Sequence, residues 1–520
     1  GNKSFNGFPL LANDPHRSLS NPSLRYMAHL VAPGWNVIGG GEPEIPGISI
    51  GHNGVGAWGL TVFRTDAEDL YVYDLNPNNY LQYMHKGKWR NFKIVNESIA
   101  VKDKDNVNVE LFYSVHGPVT FIDEKRNKAY AVKNAWSEVG GSPYLASLRM
   151  DQAKNWEEYR KASNYFNIPG ENMVWADKYG DIGWQAVGIA PIRKTHSGLV
   201  PVSGNGNFEW KDYIDIVEKP NIFNPEKGYI ATANQNVTPE DYDRWDVIGY
   251  DWADPYRGDR VNSVLEGKDK FDMEDMINLQ VDYFSIPSKQ IIELSKGYIK
   301  NNIEYFEKLL KWNNILDKNS VEAGIYIEWQ TQISFEFMRE FVPKEVQKYI
   351  EVQIYKVIEG ISKMGDKQKS QFLDKTFDLA IKNLKDKYGT ESSGWVYGQD
   401  NYKHVKIYHP LEKVVNDSIK EIIALKTYPR GGDGYTPGST SNELNQESGG
   451  SFRVVINTKD WDNSFATNSP GQSGNPKSKF YKNLYEDWAN DKYFPLLYSK
   501  NKILTNLSER KVYRPLNQSE

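Results

Sequence analysis

The sequence contains no cysteine among its 520 residues. Disulfide frameworks, thiolate metal sites and a cysteine nucleophile are therefore excluded within this stretch, while the redox compartment stays open. No run approaches the roughly 20 apolar residues that a transmembrane helix needs, so we expect no membrane span. The first residues, GNKSFNGFPLL, lack a charged segment followed by an apolar one, so we expect no export signal on them.

An excess of charge of one sign is also missing. The 63 basic and 68 acidic side chains leave a formal net charge of -5. A chain this close to neutrality has no basic field to attract nucleic acid or an anionic membrane surface. We therefore expect no nucleic-acid partner. A small uncharged molecule is still a possible ligand.

The first half of the chain has a strand-like pattern. Over residues 1–270 short apolar runs alternate with Asn, Gly and Pro clusters. Val107, Val109 and Leu111, for example, alternate with polar residues, which predicts a half-buried strand. We expect this part to be mainly β.

The apolar spacing then becomes helical. Ile291 and Leu294 recur at helical spacing within residues 271–390. Asp272 and Asp275 stand where an N-cap and a first-turn acid precede a helix. We interpret this segment as a block of several helices.

Strand-like runs return over residues 391–520, between loops rich in Gly, Ser and Asn. Strands, then helices, then strands predict an α+β fold with segregated layers. No linker-like composition flanks the helical block, so residues 1–520 are interpreted as one unit with a helical covering layer.

Histidine is scarce, with eight in the chain. His16 lies in LLANDPHR, where Asn-Asp-Pro predicts a turn after an apolar run. An imidazole at such a position is either a general base or substrate ligand, or an ordinary loop histidine. His52 and His116 are flanked by glycines, which favours a structural role for both.

An acidic cluster follows the strand-like run WGLTVF. Asp66, Glu68 and Asp69 fall within four residues. Oxygen-rich loops of this kind bind Ca²⁺ when a second segment completes the ligand shell. The spacing does not match an EF-hand, and a solvated turn is the alternative interpretation.

Several common catalytic motifs are absent, among them the G-x-S-x-G elbow, the Walker A loop, H-E-x-x-H and the dinucleotide fingerprint. The 69 aromatic residues (15 Trp, 33 Tyr and 21 Phe) are consistent with a large aromatic core or with a face on which sugars stack.

Motifs along almost the whole chain resemble those of one family. The segments LLANDPHR, GHNGVGAWGLT, HGPV, NIPGENMVWADKYGDIGW and SPGQSGNP occur in its order. They resemble the β chain of the penicillin acylase family of N-terminal nucleophile hydrolases. The resemblance implies a four-layer αββα sandwich, self-cleavage of a precursor into a small α chain and a large β chain, and a periplasmic or secreted location. The α chain is then the expected partner.

The family nucleophile is the serine that begins the β chain, with its own α-amine as base. By motif spacing this serine lies a few residues before Gly1, and Gly1 has no hydroxyl. Either it belongs to another segment of the protein or it was lost. We expect the chain by itself to be inactive.

The resemblance assigns four further catalytic positions. The backbone N–H of Val62 and the side chain of Asn234 correspond to the two oxyanion donors. His16 corresponds to a residue that orients the nucleophile. Arg260, in GDRV, corresponds to the arginine that braces the asparagine and the nucleophile's amine.

Five positions fall at or next to the family's acyl pocket: Arg17, Ile50, Leu60, Val62 and Phe63. Ile50 and Leu60 imply an apolar pocket, whereas Arg17 either recognises a polar acyl end or points to solvent. The substrate implied is a small linear acyl amide. β-Lactam side chains, acyl-homoserine lactones, lipopeptides and glutaryl amides all remain open.

The acidic cluster corresponds to the family's structural Ca²⁺ site. The resemblance implies carboxylate ligands from Asp66, Asp69 and Asp246, carbonyl ligands from Glu68 and Pro191, and a last ligand from the α chain. No organic cofactor is implied.

Two functions therefore stand at this point. The first is an acylase that cleaves amides through a serine acyl-enzyme. The second is a catalytically silent relative that serves as a binding or scaffold protein. The residue that begins the intact β chain discriminates between them, because only Ser, Thr or Cys supports the enzyme. A carbohydrate-binding protein is a third, weaker alternative.

Overall fold

The computed structural model describes residues 1–141, 145–442 and 444–514. Its strands there are, in chain order, β1 (Leu10–Asn13), β2 (His16–Ser18), β3 (Tyr26–Ala32), β4 (Trp35–Gly41), β5 (Ile50–His52), β6 (Gly56–Val62), β7 (Glu68–Asn76), β8 (Asn79–His85), β9 (Lys88–Asn91), β10 (Lys93–Ile99), β11 (Val107–Ser114), β12 (Gly117–Asp123), β13 (Lys128–Asn134), β14 (Glu171–Asp177), β15 (Ile182–Ala186), β16 (Pro191–Arg193), β17 (Val202–Ser203), β18 (Trp210–Tyr213), β19 (Asn221–Phe223), β20 (His404–Val405), β21 (Tyr428–Pro429), β22 (Asn445–Gln446), β23 (Ser448–Gly450), β24 (Arg453–Asn457), β25 (Phe465–Thr467) and β26 (Phe494–Pro495).

The helices in the same residues are α1 (Ser147–Met150), α2 (Trp156–Ser163), α3 (Tyr256–Gly267), α4 (Met273–Gln280), α5 (Ile286–Ser295), α6 (Ile303–Lys311), α7 (Val321–Phe341), α8 (Lys344–Gln347), α9 (Ile354–Ser362), α10 (Asp366–Tyr388), α11 (Asp417–Ile423), α12 (Tyr485–Ala489) and α13 (Lys500–Thr505). Short 3₁₀ turns occupy Ala135–Ser137, Ile216–Glu218, Trp245–Val247, Ser392–Gly394 and Pro410–Lys413.

Two sheets face each other at the centre of the molecule. One has seven strands in the order β19-β15-β14-β6-β5-β4-β3, and the other has four in the order β1-β24-β25-β26. Glycines let them approach closely. A Cβ on Gly59 of β6 would lie 2.8 Å from Cβ of Asn13 on β1, and one on Gly40 of β4 would lie 3.1 Å from the ring of Phe452. Larger residues at either position would push the sheets apart.

Helices cover the outer faces of both sheets. Trp58 of β6 and Trp175 of β14 stack with ring centroids 6.4 Å apart, and Tyr159 of α2 packs 4.8 Å from Trp175. All three side chains are fully buried. Helix α4 packs on β1 and β24 from the other side. The order of layers is therefore helix, sheet, sheet, helix.

A second core lies among helices α5 to α10, built from residues such as Trp329, Phe377 and Leu384. These helices lie inside the segment for which a helical block is predicted. The predicted N-cap is confirmed, because Asp272 and Asp275 form a reciprocal capping box at the start of α4.

Two expectations from the sequence differ from the structure. Helix α3 lies inside the part predicted to be mainly β. Its sequence does not predict a helix, because its apolar stripe is short and interrupted by charged residues. Strand β11 forms as predicted, but Val107 and Leu111 are exposed rather than half-buried. This strand lies towards the edge of an eight-stranded sheet, where little packs on it.

No helix in the described ranges is both long and apolar enough to cross a membrane.

Buried Asp151 makes folding stability depend on pH. Its Oδ2 accepts the backbone N–H of Ile48 at 3.0 Å, while its Oδ1 has no hydrogen-bond partner among the described residues. Burial raises the pKa of Asp151 to about 8. The native state therefore keeps a proton on Asp151 that the unfolded chain releases near the ordinary pKa of an aspartate. The free energy of unfolding thus falls as pH rises from that ordinary pKa towards about 8.

We expect Asp151→Asn to remove this loss. Thermal melts of the intact protein between pH 5 and pH 8 should show a melting temperature that falls less in the variant than in the wild type. The slope at stake is up to about 1.4 kcal/mol per pH unit. Asp103→Asn, at an exposed turn, is the matched control and should follow the wild type. Parallel curves for all three proteins would contradict the prediction.

Candidate active site

A cavity of about 620 Å³ opens beside the two central sheets. Residues of β1, β2, β6 and β14 line it, together with residues 228–234 and parts of α3 and α4. Of the predicted catalytic and substrate residues, five line this cavity: His16, Arg17, Leu60, Val62 and Asn234. Chain segments that are far apart in sequence therefore meet around one cavity.

The two predicted oxyanion residues lie side by side. The side-chain amide of Asn234 donates to the carbonyl oxygen of Val62 at 3.0 Å, and Asn172 of β14 donates to the same oxygen at 3.1 Å. Asn234 has a φ of 66°, a left-handed conformation that asparagine tolerates better than most residues. Val62 ends strand β6. The wall thus carries a fixed amide next to a strand end.

The arginine that contacts Asn234 is Arg257, not Arg260. Nη2 of Arg257 donates to Oδ1 of Asn234 at 2.9 Å. Arg260 instead pairs with Asp282 at 2.7 Å and lies over the ring of Phe284. Three residues of helix α3 are about 4.5 Å along its axis, which is enough to move Arg260 away from the cavity. Motif matching could not separate two arginines on one helix.

His16 is held at the cavity by its neighbour. Its Nε2 lies 3.1 Å from Oδ2 of Asp14, and both side chains are about one-quarter exposed. The carboxylate therefore fixes the direction of the imidazole ring. Both residues line the cavity.

Two of the predicted substrate residues do not line the cavity. Ile50 lies on β5, one strand further into the sheet, and is completely buried in the central core. Phe63 follows Val62 and packs on Trp184 and Trp252. Phe63 is therefore part of a separate buried cluster, with Trp184 and Ile248, rather than of the cavity wall.

Glu171 is a cavity residue that sequence reasoning missed. It is fully buried on β14, and its Oε1 accepts from Nη2 of Arg17 at 3.0 Å. Burial raises the pKa of Glu171 to about 7, although Arg17 and Arg25 oppose the shift. An acid at the start of the apolar run NMVWA was the signal available in the sequence.

The predicted Ca²⁺ carboxylates contact an arginine. Nε of Arg193 lies 2.9 Å from Oδ2 of Asp69, and its Nη2 lies 3.2 Å from Oδ1 of Asp66 and from the carbonyl oxygen of Glu68. The Nε2 atom of His196 lies 2.9 Å from Oδ2 of Asp69. One guanidinium thus occupies the space between three of the oxygens that were predicted to bind the ion.

The remaining predicted ligands do not complete a site. Asp246 is half-exposed and pairs with Arg244 at 3.1 Å, and Pro191 lies on β16 two residues before Arg193. In the ranges that the structure describes, no group of three His, Cys, Asp or Glu side chains is arranged to hold a metal ion. The arrangement does not fit Ca²⁺ as it stands, and calcium binding stays a prediction.

Comparison with known proteins supports the resemblance seen in the motifs. The chain is 24% identical to the acyl-homoserine lactone acylase QuiP of Pseudomonas aeruginosa, over 94% of this chain and 65% of that protein. It is also 24% identical to the penicillin acylase 2 proenzyme of Pseudomonas sp., over 96% of this chain and 66% of that protein. The chain therefore spans about two thirds of the length of these relatives.

The fold and the family follow from two further matches. A solved structure of the thermostable penicillin G acylase from Alcaligenes faecalis superposes with a TM-score of 0.77 at 19% identity, covering 100% of this chain and 98% of that one. This likeness confirms the expected α+β sandwich fold. The model of the penicillin amidase family matches residues 1–505, so the chain belongs to that family.

Proposed function

We propose that the intact protein is an amidohydrolase that cleaves a linear acyl amide through a serine acyl-enzyme. The observation that carries the proposal is the contact between the Asn234 amide and Val62 at the wall of the cavity. Membership of the penicillin amidase family supports it, as do the relatives named acylases. The word proenzyme in the name of one relative supports an α chain cut from the same precursor as the partner.

Four cavity residues have a part in the proposed reaction, and two of them would hold the oxyanion. When a serine at the start of the family's β chain attacks the amide carbon, negative charge develops on the carbonyl oxygen. The N–H of Val62 and the side-chain amide of Asn234 donate to that oxygen. Donors held in place before the reaction stabilise the charge without reorganising, and losing one typically costs about 10²–10³ in kcat.

Arg257 and His16 hold the oxyanion donors and the reacting groups in position. Arg257 accepts no proton in the reaction; it fixes Oδ1 of Asn234, so that the NH₂ group of the amide faces Val62. His16, held by Asp14, limits the positions that the nucleophile and the scissile amide can take. After the amine leaves, water attacks the acyl ester. The negative charge that develops on the carbonyl oxygen is then stabilised by the same two donors.

The acyl-enzyme step predicts a burst of product. Rapid mixing of the intact two-chain protein with a chromogenic acyl amide should release amine in an initial phase stoichiometric with enzyme, followed by a slower steady rate. This is expected when deacylation limits turnover. If a broad panel of linear acyl amides shows neither burst nor steady turnover, the enzyme proposal fails and the silent binding protein becomes the better interpretation.

The contacts on Asn234 predict a ranking of variants. Asn234→Ala should lower kcat by about 10²–10³ with little change in KM, because the interaction forms in the transition state. Arg257→Gln should lower kcat by about tenfold, since Asn234 then loses the contact that orients it. The matched control is Arg260→Gln, on the same helix. Equal losses in both arginine variants would show that α3 acts through its fold rather than through Arg257.

A further inference from the structure

The buried side chain of Asn172 contacts the strand that ends at Val62. Asn172 lies on β14 opposite Thr61 of β6. Its Nδ2 donates to the carbonyl oxygen of Val62 and to Oγ1 of Thr61, both at 3.1 Å. Neither Asn172 nor Trp184 beside it is among the residues that line the cavity. Asn172 therefore supports the cavity wall from behind and does not reach the substrate.

Trp184 fixes the direction of the Asn172 amide. Nε1 of the Trp184 indole donates to Oδ1 of Asn172 at 2.8 Å, and both side chains are buried. Because an indole N–H can only donate, the amide atom that faces it is the oxygen. The NH₂ group is thereby turned towards Thr61 and Val62. The oxygen and both hydrogens of this amide thus all have partners.

The carbonyl of Val62 links Asn172 to Asn234. A carbonyl oxygen has two lone pairs, and this one accepts from Asn172 at 3.1 Å and from Asn234 at 3.0 Å. The backbone N–H proposed to bind the oxyanion belongs to the same residue, Val62. Without the Asn172 contact the end of β6 loses a support, and Asn234 loses the fixed position of its acceptor. Both proposed donors therefore depend on the position of one oxygen atom.

A second path leads from Asn172 to the segment that carries Asn234. The hydroxyl oxygens of Thr61 and Thr232 lie 2.8 Å apart, and Thr232 precedes Asn234 by two residues. Asn172 donates to the same Thr61 oxygen at 3.1 Å. One buried amide is thus connected to the end of β6 directly and to residues 232–234 through Thr61.

We propose that Asn172, oriented by Trp184, is a positioning residue that sets the spacing between the two oxyanion donors. The assignment rests on the proposed amide hydrolysis and deepens it. Donors stabilise the developing charge when they are held about 2.7–3.1 Å from the oxygen in the transition state. A displacement of about 1 Å can lower the rate about 10²-fold. Asn172 acts on the reaction through Val62 and Asn234.

Asn172→Leu removes the amide from the intact protein and keeps the number of side-chain heavy atoms. It should lower kcat by about 10–10²-fold and change KM by less than about threefold, because the groups that contact the substrate remain. Asn53→Ala is the matched control, since Asn53 donates to the carbonyl oxygens of Asp151 and Ala153 away from the cavity. It should keep the wild-type kcat. Equal kcat in Asn172→Leu and the wild type would overturn the assignment.

Trp184→Phe tests the orientation of the amide. Phenylalanine keeps an aromatic ring in the core but lacks the N–H that holds Oδ1 of Asn172. On its own the substitution should lower kcat by about threefold or more. In the Asn172→Leu background it should lower kcat no further, because Trp184 acts through Asn172. Losses that multiply in the double variant would contradict this order, and melting curves check that each variant folds.

A boronic acid distinguishes this role from a general weakening of the cavity. Its boron bonds to a serine hydroxyl oxygen with release of the proton, and the tetrahedral anion that forms resembles the transition state. In Asn172→Leu the Ki of the boronic acid should rise by about the factor by which kcat/KM falls. The Kd of the amine product should stay unchanged. Equal weakening of both ligands would show that Asn172 only maintains the fold of the cavity.

Hydrogen exchange separates this assignment from the proposed function. Losing the Asn172 contacts should speed backbone exchange in residues 59–63 and 230–236 of Asn172→Leu, but not in helices α5 to α10. That result in a protein that cleaves no amide would support the positioning contacts and refute the enzyme proposal. Unchanged exchange in both segments, in a protein that cleaves amides, would overturn the role of Asn172 and leave the proposed function standing.

Discussion

The pairing of β6 with β14 is the interaction on which the site depends. Its register sets Val62 opposite Glu171 and Leu60 opposite Met173. Asn172 of β14 donates to the Val62 carbonyl. A shift of one residue would turn each of these side chains to the other face of the sheet. One set of backbone hydrogen bonds thus fixes the positions of Leu60, Val62 and Glu171 at the cavity.

Close contact between the two central sheets holds that ladder in place. Gly59 leaves room for β1, and the side chain of Asn13 donates to the Leu60 carbonyl at 2.8 Å. On the opposite face Trp58 and Trp175 fill the space under helix α2. The strand that ends at Val62 is therefore packed on both faces, which holds this wall of the cavity in place.

Sequence reasoning succeeded where local chemistry decides the outcome. The N-cap at Asp272 follows from the local sequence, and the ordered motifs led to the right family and fold. The motifs also pointed to His16, Val62 and Asn234, and all three line one cavity in the structure. It failed for Arg260, because Arg257 on the same helix lies nearer the cavity. It failed for Ile50 and Phe63, because both side chains are buried in core clusters and do not line the cavity.

What the sequence by itself determined is the family, the α+β layering, the near-neutral charge of this chain and its lack of cysteine. What only the tertiary structure decided is which charged groups meet. Arg17 pairs with Glu171, 154 residues away, and Arg193 lies between Asp66 and Asp69, more than 120 residues away. The physical reason is that a buried charge takes its partner from whatever the fold places nearby, and that choice leaves no local pattern in the chain.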